Sequence, residues 1–285
     1  MTRKNIYSPL RYPGGKAKIL NFIKEIIKDN YFGKKPAYIE PYAGGAAIAI
    51  GLLLDGYVSK VYINDFDPAI YSFWYCVKNH PKEFINKIKD TEITIEEWHK
   101  QKDIYKKGKE EFNLGFSTFF LNRCNRSGVI EGGCIGGLRQ MGNYKIDCRF
   151  NKKDLIERIE KISRFSDKIN ISNEDTLEFL REKNIQNILS KNCLLYIDPP
   201  YYKNGKQLYK NYYKYTDHRN ISELVKKLDT KWIVSYDNVA EIQELYDGCN
   251  SKEFNLTYFA GKVKVGKEIM FFSDKISYIP DLIFM

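Results

Sequence analysis

The chain predicts an open α/β sheet with helices on both faces. Three observations carry that expectation. Apolar runs of strand length recur at 37–40 (AYIE), 60–64 (KVYIN), 192–197 (NCLLYI), 231–236 (KWIVSY) and 268–273 (EIMFFS). Segments with helical spacing separate most of them, the alternation expected of parallel strands joined by crossover helices. Four runs are followed or ended by an acid, Glu40, Asp65, Asp198 and Asp237, where sheets of this class bind ligands.

Taken in order, the run 37–40 ends in Glu-Pro, then a glycine pair, then AAIAIGLLL, which predicts a buried strand, a glycine turn and an apolar helix. The strand 60–64 leads through Asp65 into helical spacing over 66–79. Residues 83–165 interrupt the alternation. Their first part, 83–121, has a helical pattern, whereas 125–150 is glycine-rich, basic and irregular. Helices from about Lys152 to Phe165 are expected to pack this insertion on the core. Helical stretches at 176–190 and 218–228 separate the later strands. The division expected is a main domain of residues 1–82 and 166–285, with 83–165 as an inserted, mainly helical subdomain.

With 285 residues, 43% hydrophobic and 29% charged, the chain can bury a sizeable core without disulfides or a metal. No run approaches the ~20 apolar residues of a membrane span. The first residues lack the apolar core of a signal peptide, so a cytoplasmic protein with no membrane partner is expected. The six cysteines form no CxxC pair and the three histidines are scattered, which argues for free thiols and against a zinc site. The net charge is +10, and two segments hold most of it. Residues 122–153 carry seven basic residues against two acidic, and 203–219 carry five against one. Clustered positive charge suits a polyanion such as DNA or RNA. Charge alone leaves a uniformly lysine-rich surface equally open.

Three motifs carry chemistry. Asp198-Pro199-Pro200-Tyr201 follows an apolar strand. The prolines stiffen the segment and remove two backbone donors, leaving carbonyls to accept. An acid, a free carbonyl and a ring together suit a planar amine: two acceptors hold its NH2 and the ring stacks on the base. Glu40-Pro41-Tyr42-Ala43-Gly44-Gly45 follows the first strand, and its glycines allow close approach of a ligand at a helix N-terminus. Asp65, at the end of the next strand, suits ribose hydroxyls. Tyr12-Pro13-Gly14-Gly15-Lys16 is a third glycine turn, with a cation, and on its own fits any exposed turn.

In that order RYPGGKAKIL, IEPYAGGAA, INDFD and IDPPY, with FFLNR, YTDH, SYDN and KEIMFFS, make the chain resemble the Dam-like D12 class of N6-adenine DNA methyltransferases, over essentially its whole length. The resemblance implies a seven-stranded Rossmann-like methyltransferase sheet that binds S-adenosyl-L-methionine without a metal. It implies cofactor contacts from Tyr12, Gly14, Gly15 and Lys16, from Glu40, Pro41, Tyr42, Gly44 and Gly45, and from Asp65, Asp175 and Asp198. Asp198, Pro199, Pro200 and Tyr201 correspond to the catalytic motif. The glycine motif ends GGAA rather than GGGS, and because only backbone room is needed there, binding is expected to survive.

The resemblance also implies double-stranded DNA as partner, a monomer, and room for a cognate restriction endonuclease. Target recognition is expected within 122–153, from Arg123, Asn125, Arg126, Arg139, Lys145 and Arg149, with arginines on guanine edges and lysines on phosphates. Lys203, Lys206 and Lys210, interleaved with Tyr209, Tyr212, Tyr213 and Tyr215, suit a loop over the flipped base, although those tyrosines fit a core equally well. The expected reaction is methyl transfer to N6 of a flipped-out adenine. An N4-cytosine methyltransferase and a catalytically inactive DNA-binding module of the same fold remain open alternatives.

Overall fold

The computed structural model describes residues 7–11, 19–203, 213–260 and 262–281. Helix α1 (Leu20–Tyr31) leads to strand β1 (Ala37–Glu40), α2 (Ala47–Leu54), β2 (Lys60–Asn64) and α3 (Pro68–Asn79). Then come α4 (Pro81–Asp90), α5 (Ile95–Lys107), α6 (Glu111–Cys124) and α7 (Lys152–Ser163). The rest is β3 (Ile169–Ser172), α8 (Thr176–Arg181), α9 (Lys183–Leu189), β4 (Cys193–Ile197), α10 (Tyr215–Lys226), β5 (Lys231–Asp237), α11 (Ala240–Leu245), β6 (Asn250–Ala260) and β7 (Lys262–Phe272).

The strands form a seven-stranded sheet in the order β3-β2-β1-β4-β5-β7-β6. Strands β1 to β5 run parallel. Strand β7 is antiparallel to both its neighbours and closes the edge with β6 as a hairpin. From β1 the chain moves outward to β2 and β3, then returns to β4 on the other side of β1. That reversal opens a crevice beyond the carboxyl ends of β1 and β4. Ile39 pairs with Leu195, so Glu40 and Asp198 both emerge there.

Side-chain alternation along the strands builds two cores. Tyr38, Leu194, Tyr196, Ile233, Met270 and Phe272 face one cluster with α1 to α4, α6 and α7. Ile39, Leu195, Ile197, Val234, Ile269 and Phe271 face the other, with α8 to α11. Both faces of the central strands are thus covered, as their unbroken apolar runs require. Local signals agree with the helix starts. The Asp67 carboxylate accepts Ala69 N–H at 2.9 Å with Pro68 in the first turn of α3, and Thr94 and Asn151 cap α5 and α7.

The strands expected at 37–40, 60–64, 192–197, 231–236 and 268–273 all form, the last as the end of a longer β7. Strands β3 and β6 were not expected. The stretch 176–190 divides into two short helices, and 125–150 forms only a 3-10 turn (Arg126–Gly128) and an isolated bridge between Asn125 and Cys134. The boundary expected at residue 83 falls inside α4, and the core is continuous across it. Phe119 of α6 stacks on Phe73 of α3 with centroids 5.9 Å apart and meets Phe84 at 5.4 Å and Phe150 at 5.3 Å. Gly115 makes this approach possible, since a Cβ there would lie 2.5 Å from the Ser72 carbonyl oxygen. Among the described residues no helix is long and apolar enough to cross a membrane.

Phe119 therefore joins the 83–165 segment to α3. Phe119→Ala is expected to cost about 3–5 kcal/mol, read as a lower urea midpoint, and to destabilise the chain as one cooperative unit. Separate unfolding of the two parts would contradict a shared core.

Candidate active site

The site is assembled at the carboxyl ends of β1, β2, β4 and β5. Glu40 ends β1 and is buried. Its carboxylate accepts the Ala49 N–H at 3.2 Å, supplying a cap that Ala46, at φ 43°, cannot provide from its own side chain. Burial, and then the charge of Asp198, push the Glu40 pKa well above the carboxylate range.

Asp65, one residue past β2, holds the glycine turn in place. One carboxylate oxygen accepts the Gly44 N–H at 2.7 Å and the other the Asp67 N–H at 3.0 Å. Gly44 has φ 44°, and Trp74 Nε1 donates to its carbonyl at 2.9 Å. A small cavity under this turn is lined by Ala43, Asn64, Asp65, Tyr71, Trp74 and Ser172, with Ile63 and Ile171. Burial pushes the Asp65 pKa from 3.8 up to about 7, with the two N–H donors pulling the other way.

Asn64, 1% exposed, organises the neighbouring loops and carries no signal in sequence beyond its place before Asp65. Its amide donates to the carbonyls of Pro41 and Glu174 and accepts the Glu174 N–H at 3.0 Å. That ties the turn after β1 to the loop after β3. Asp175 lies exposed on that loop, where its carboxylate accepts the Leu177 N–H at the start of α8.

At the end of β4, Asp198 is half-buried and Tyr201 is buried. Asp198 accepts from Ser235 Oγ at 2.7 Å, and the Tyr201 hydroxyl donates to Glu268 at 2.7 Å. The Asp237 carboxylate accepts the N–H groups of Tyr202 and Lys203 at 2.9 and 3.0 Å. Tyr42 and Tyr213 share a 3.0 Å hydroxyl contact. Tyr213 also packs on His218, which bonds the Tyr236 hydroxyl from the interior. Tyr213 is half-buried and packs against the core, while Tyr215 is 39% exposed. Ser235 and Glu268 lie in apolar strand runs, and only their polarity there could have marked them.

The structure thus brings together Glu40, Pro41, Tyr42, Gly44, Gly45, Asp65 and Asp198 to Tyr201. Tyr12, Gly14, Gly15, Lys16, Lys206 and Lys210, with Tyr209 and Tyr212, lie outside the described residues. Arg126, Arg139, Lys145, Arg149 and Lys203 are exposed. Two residues expected to contact DNA are instead interior. Arg123, 8% exposed, donates from Nε at 2.7 Å and from Nη2 to the Arg149 carbonyl, and from Nη1 to that of Pro9. Burial first, then the charges of Arg11 and Arg158, pull its pKa down. Asn125, fully buried, accepts from Trp98 Nε1 at 2.7 Å and donates to the carbonyls of Val129 and Ile130.

Asn122 completes that scaffold. It exchanges two 2.7 Å bonds with the backbone of Arg11 and donates to the Gly128 carbonyl at 2.9 Å. The FFLNR segment therefore anchors Pro9 and Arg11. Backbone carbonyls that need donors, rather than phosphates, explain why Asn122, Arg123 and Asn125 are polar.

Arg123→Ala leaves the Arg149 and Pro9 carbonyls short of donors and is expected to destabilise the fold by about 1–3 kcal/mol in urea unfolding. For Asp65, the raised pKa means its contribution to stability is full below about pH 4 and is lost as pH rises through about 7. Asp65→Asn cannot titrate but gives up one of the two acceptor oxygens, so it should start below wild type at pH 4 and close that stability deficit as pH rises across the window. A difference in melting temperature that does not change between pH 4 and 8 would contradict this.

Residues 12–263 match the D12 class N6 adenine-specific DNA methyltransferase family. A type II methyltransferase, M.MjaIII of Methanocaldococcus jannaschii, is 27% identical over 268 residues, covering 86% of this chain and 89% of its own. The modification methylase StsI of Streptococcus sanguinis is 25% identical over 244 residues, which is 78% of this chain but 33% of that larger protein. Among solved structures, the rRNA methyltransferase aviRa of Streptomyces viridochromogenes aligns with 93% of this chain and 88% of its own, at 12% identity and a TM-score of 0.41. The chain belongs to the D12 class N6 adenine-specific DNA methyltransferase family.

Proposed function

We propose that this chain transfers a methyl group from S-adenosyl-L-methionine to N6 of an adenine flipped out of double-stranded DNA. The observation that carries the proposal is the meeting of the Asp198–Tyr201 segment with the glycine turn and carboxylates of Glu40 and Asp65 at the β1/β4 crevice. The fit to the cofactor rests on electrostatics. Glu40 and Asp65 are carboxylates whose charged forms are disfavoured by burial, and Asp198 adds to the strain on Glu40. A ligand with a cationic amine and ribose hydroxyls relieves that cost. Glu40 would face the amino group, Asp65 the ribose, and the turn at Tyr42–Gly45 the rest of the chain, with Asp175 near the cofactor's adenine. When bound, the cofactor supplies an electrophilic methyl on a sulfonium.

The protein's own task is to prepare the acceptor. Adenine N6 is a weak nucleophile because its lone pair is delocalised into the ring. Tyr201 stacks on the extruded base. The Asp198 carboxylate and Pro199 carbonyl accept the two N6 hydrogens, which localises the lone pair and directs it at the methyl. Transfer of that methyl would place positive charge on N6 beside Asp198, and the surplus N6 proton would leave through that carboxylate to solvent. Catalysis then rests on alignment and on charge placed where the transition state needs it. Arg126, Arg139, Lys145 and Arg149, exposed on the 125–150 segment, with Lys203, are the duplex contacts this reading retains. The names of the relatives leave a cognate restriction endonuclease in keeping with it.

The decisive test is mass spectrometry of nucleosides after incubating the protein with unmethylated DNA and S-adenosylmethionine. N6-methyladenine is expected from wild type, and a loss of at least about 1,000-fold from Asp198→Ala. N4-methylcytosine would replace the acceptor. A variant as active as wild type would remove Asp198 from the mechanism.

A further inference from the structure

We infer that Glu268 of β7, acting with Ser235 and Asp237 of β5, is a positioning residue that sets the Tyr201 ring and the Asp198 carboxylate in their working orientation within the protein itself. This rests on the acceptor role proposed above for Asp198–Tyr201. Strands β5 and β7 pair antiparallel with Asp237 opposite Glu268 and Ser235 opposite Met270. Side chains directly opposite share a sheet face, as do residues two apart. Ser235, Asp237 and Glu268 therefore form one polar patch on one face, in strands whose other buried residues are almost all apolar.

Each member holds a successive part of the segment after β4. Ser235 Oγ donates to Asp198 Oδ1 at 2.7 Å and contacts the Tyr196 hydroxyl at 2.8 Å. Glu268 Oε1 accepts the Tyr201 hydroxyl at 2.7 Å. Asp237 accepts the N–H groups of residues 202 and 203. Packing does not call for this arrangement. Glu268 is 1% exposed and Ser235 wholly buried, in a strand pair where an apolar side chain would be more stable than a carboxylate. The patch instead fixes two torsions the proposed chemistry depends on, the plane of the Asp198 carboxylate and the swing of the Tyr201 ring. An acceptor site already set spends less of its binding free energy on ordering and loses rate when the setting is loosened.

The test compares steady-state methylation by the full-length protein and its Tyr201→Phe, Glu268→Ala and Glu268→Gln variants, and by the Tyr201→Phe/Glu268→Ala double variant. Tyr201→Phe keeps the ring and removes only the hydroxyl. It is expected to lower kcat roughly tenfold with KM for S-adenosylmethionine within about twofold. Glu268→Ala is expected to match it, the double variant to fall no further, and Glu268→Gln, which still offers an acceptor oxygen, to recover most of the rate. A merely structural glutamate would lower the amount of folded enzyme without this pattern. The inference is overturned if Tyr201→Phe keeps wild-type kcat, a result that does not depend on how well the Glu268 variants fold. It is also overturned if the two losses multiply. Wild type and Asp198→Ala are run alongside. Loss of turnover in Asp198→Ala with no change in Tyr201→Phe sinks this inference alone, whereas no transfer by wild type sinks the acceptor role with it.

Discussion

The parallel pairing of β1 with β4, whose connections leave in opposite directions, is the constraint on which the rest of the molecule depends. Crossover helices cover a strand along its faces but leave a gap at its carboxyl end when the neighbouring crossovers diverge. Here that gap receives Glu40 from β1 and Asp198 from β4, with Asp65 from β2 beside them. Carboxylates at such a place repel one another and lose hydration. The fold tolerates this by giving each one backbone or hydroxyl donors: Ala49 for Glu40, Gly44 and Asp67 for Asp65, and Ser235 for Asp198. The raised pKa values of Glu40 and Asp65 are the part of the cost that those donors leave uncompensated.

Around the crevice, backbone groups are tied together by a few polar side chains of low exposure. Asn64 joins two loops, Asn122 and Arg123 anchor Arg11 and Pro9, and Asn125 closes the start of the 125–150 segment. Each is a short amide or a fork-shaped guanidinium that can serve several carbonyls at once. The basic charge of the 122–153 region therefore has two uses. Arg123 is spent inside on carbonyls, while Arg126, Arg139, Lys145 and Arg149 remain at the surface.

The hairpin edge of the sheet has a corresponding part. Reversal of β7 places its residues opposite those of β5 in antiparallel register, so polar positions far apart in the chain, such as Asp237 and Glu268, become direct neighbours. The register of that pairing brings both to the segment after β4. The reversed strand is thus tied to the geometry of the site as well as to closure of the sheet.

From the sequence by itself came the sheet class, five of the seven strands and the residues at the crevice, because buried central strands leave continuous apolar runs and the motifs lie just beyond them. Strands β3 and β6 escaped notice because one has four residues on the sheet edge and the other begins with the polar Asn250–Glu253. Tertiary structure alone decided that Arg123 and Asn125 serve the interior, that Tyr213 packs against the core, and that one core runs unbroken across residue 83. It alone placed Ser235 and Glu268 on Asp198 and Tyr201. The physical reason is the same each time. A residue's type states which bonds it can make, but whether its partner is a phosphate, a carbonyl or another side chain depends on chain segments tens of residues away, and only the packed sheet brings those segments together.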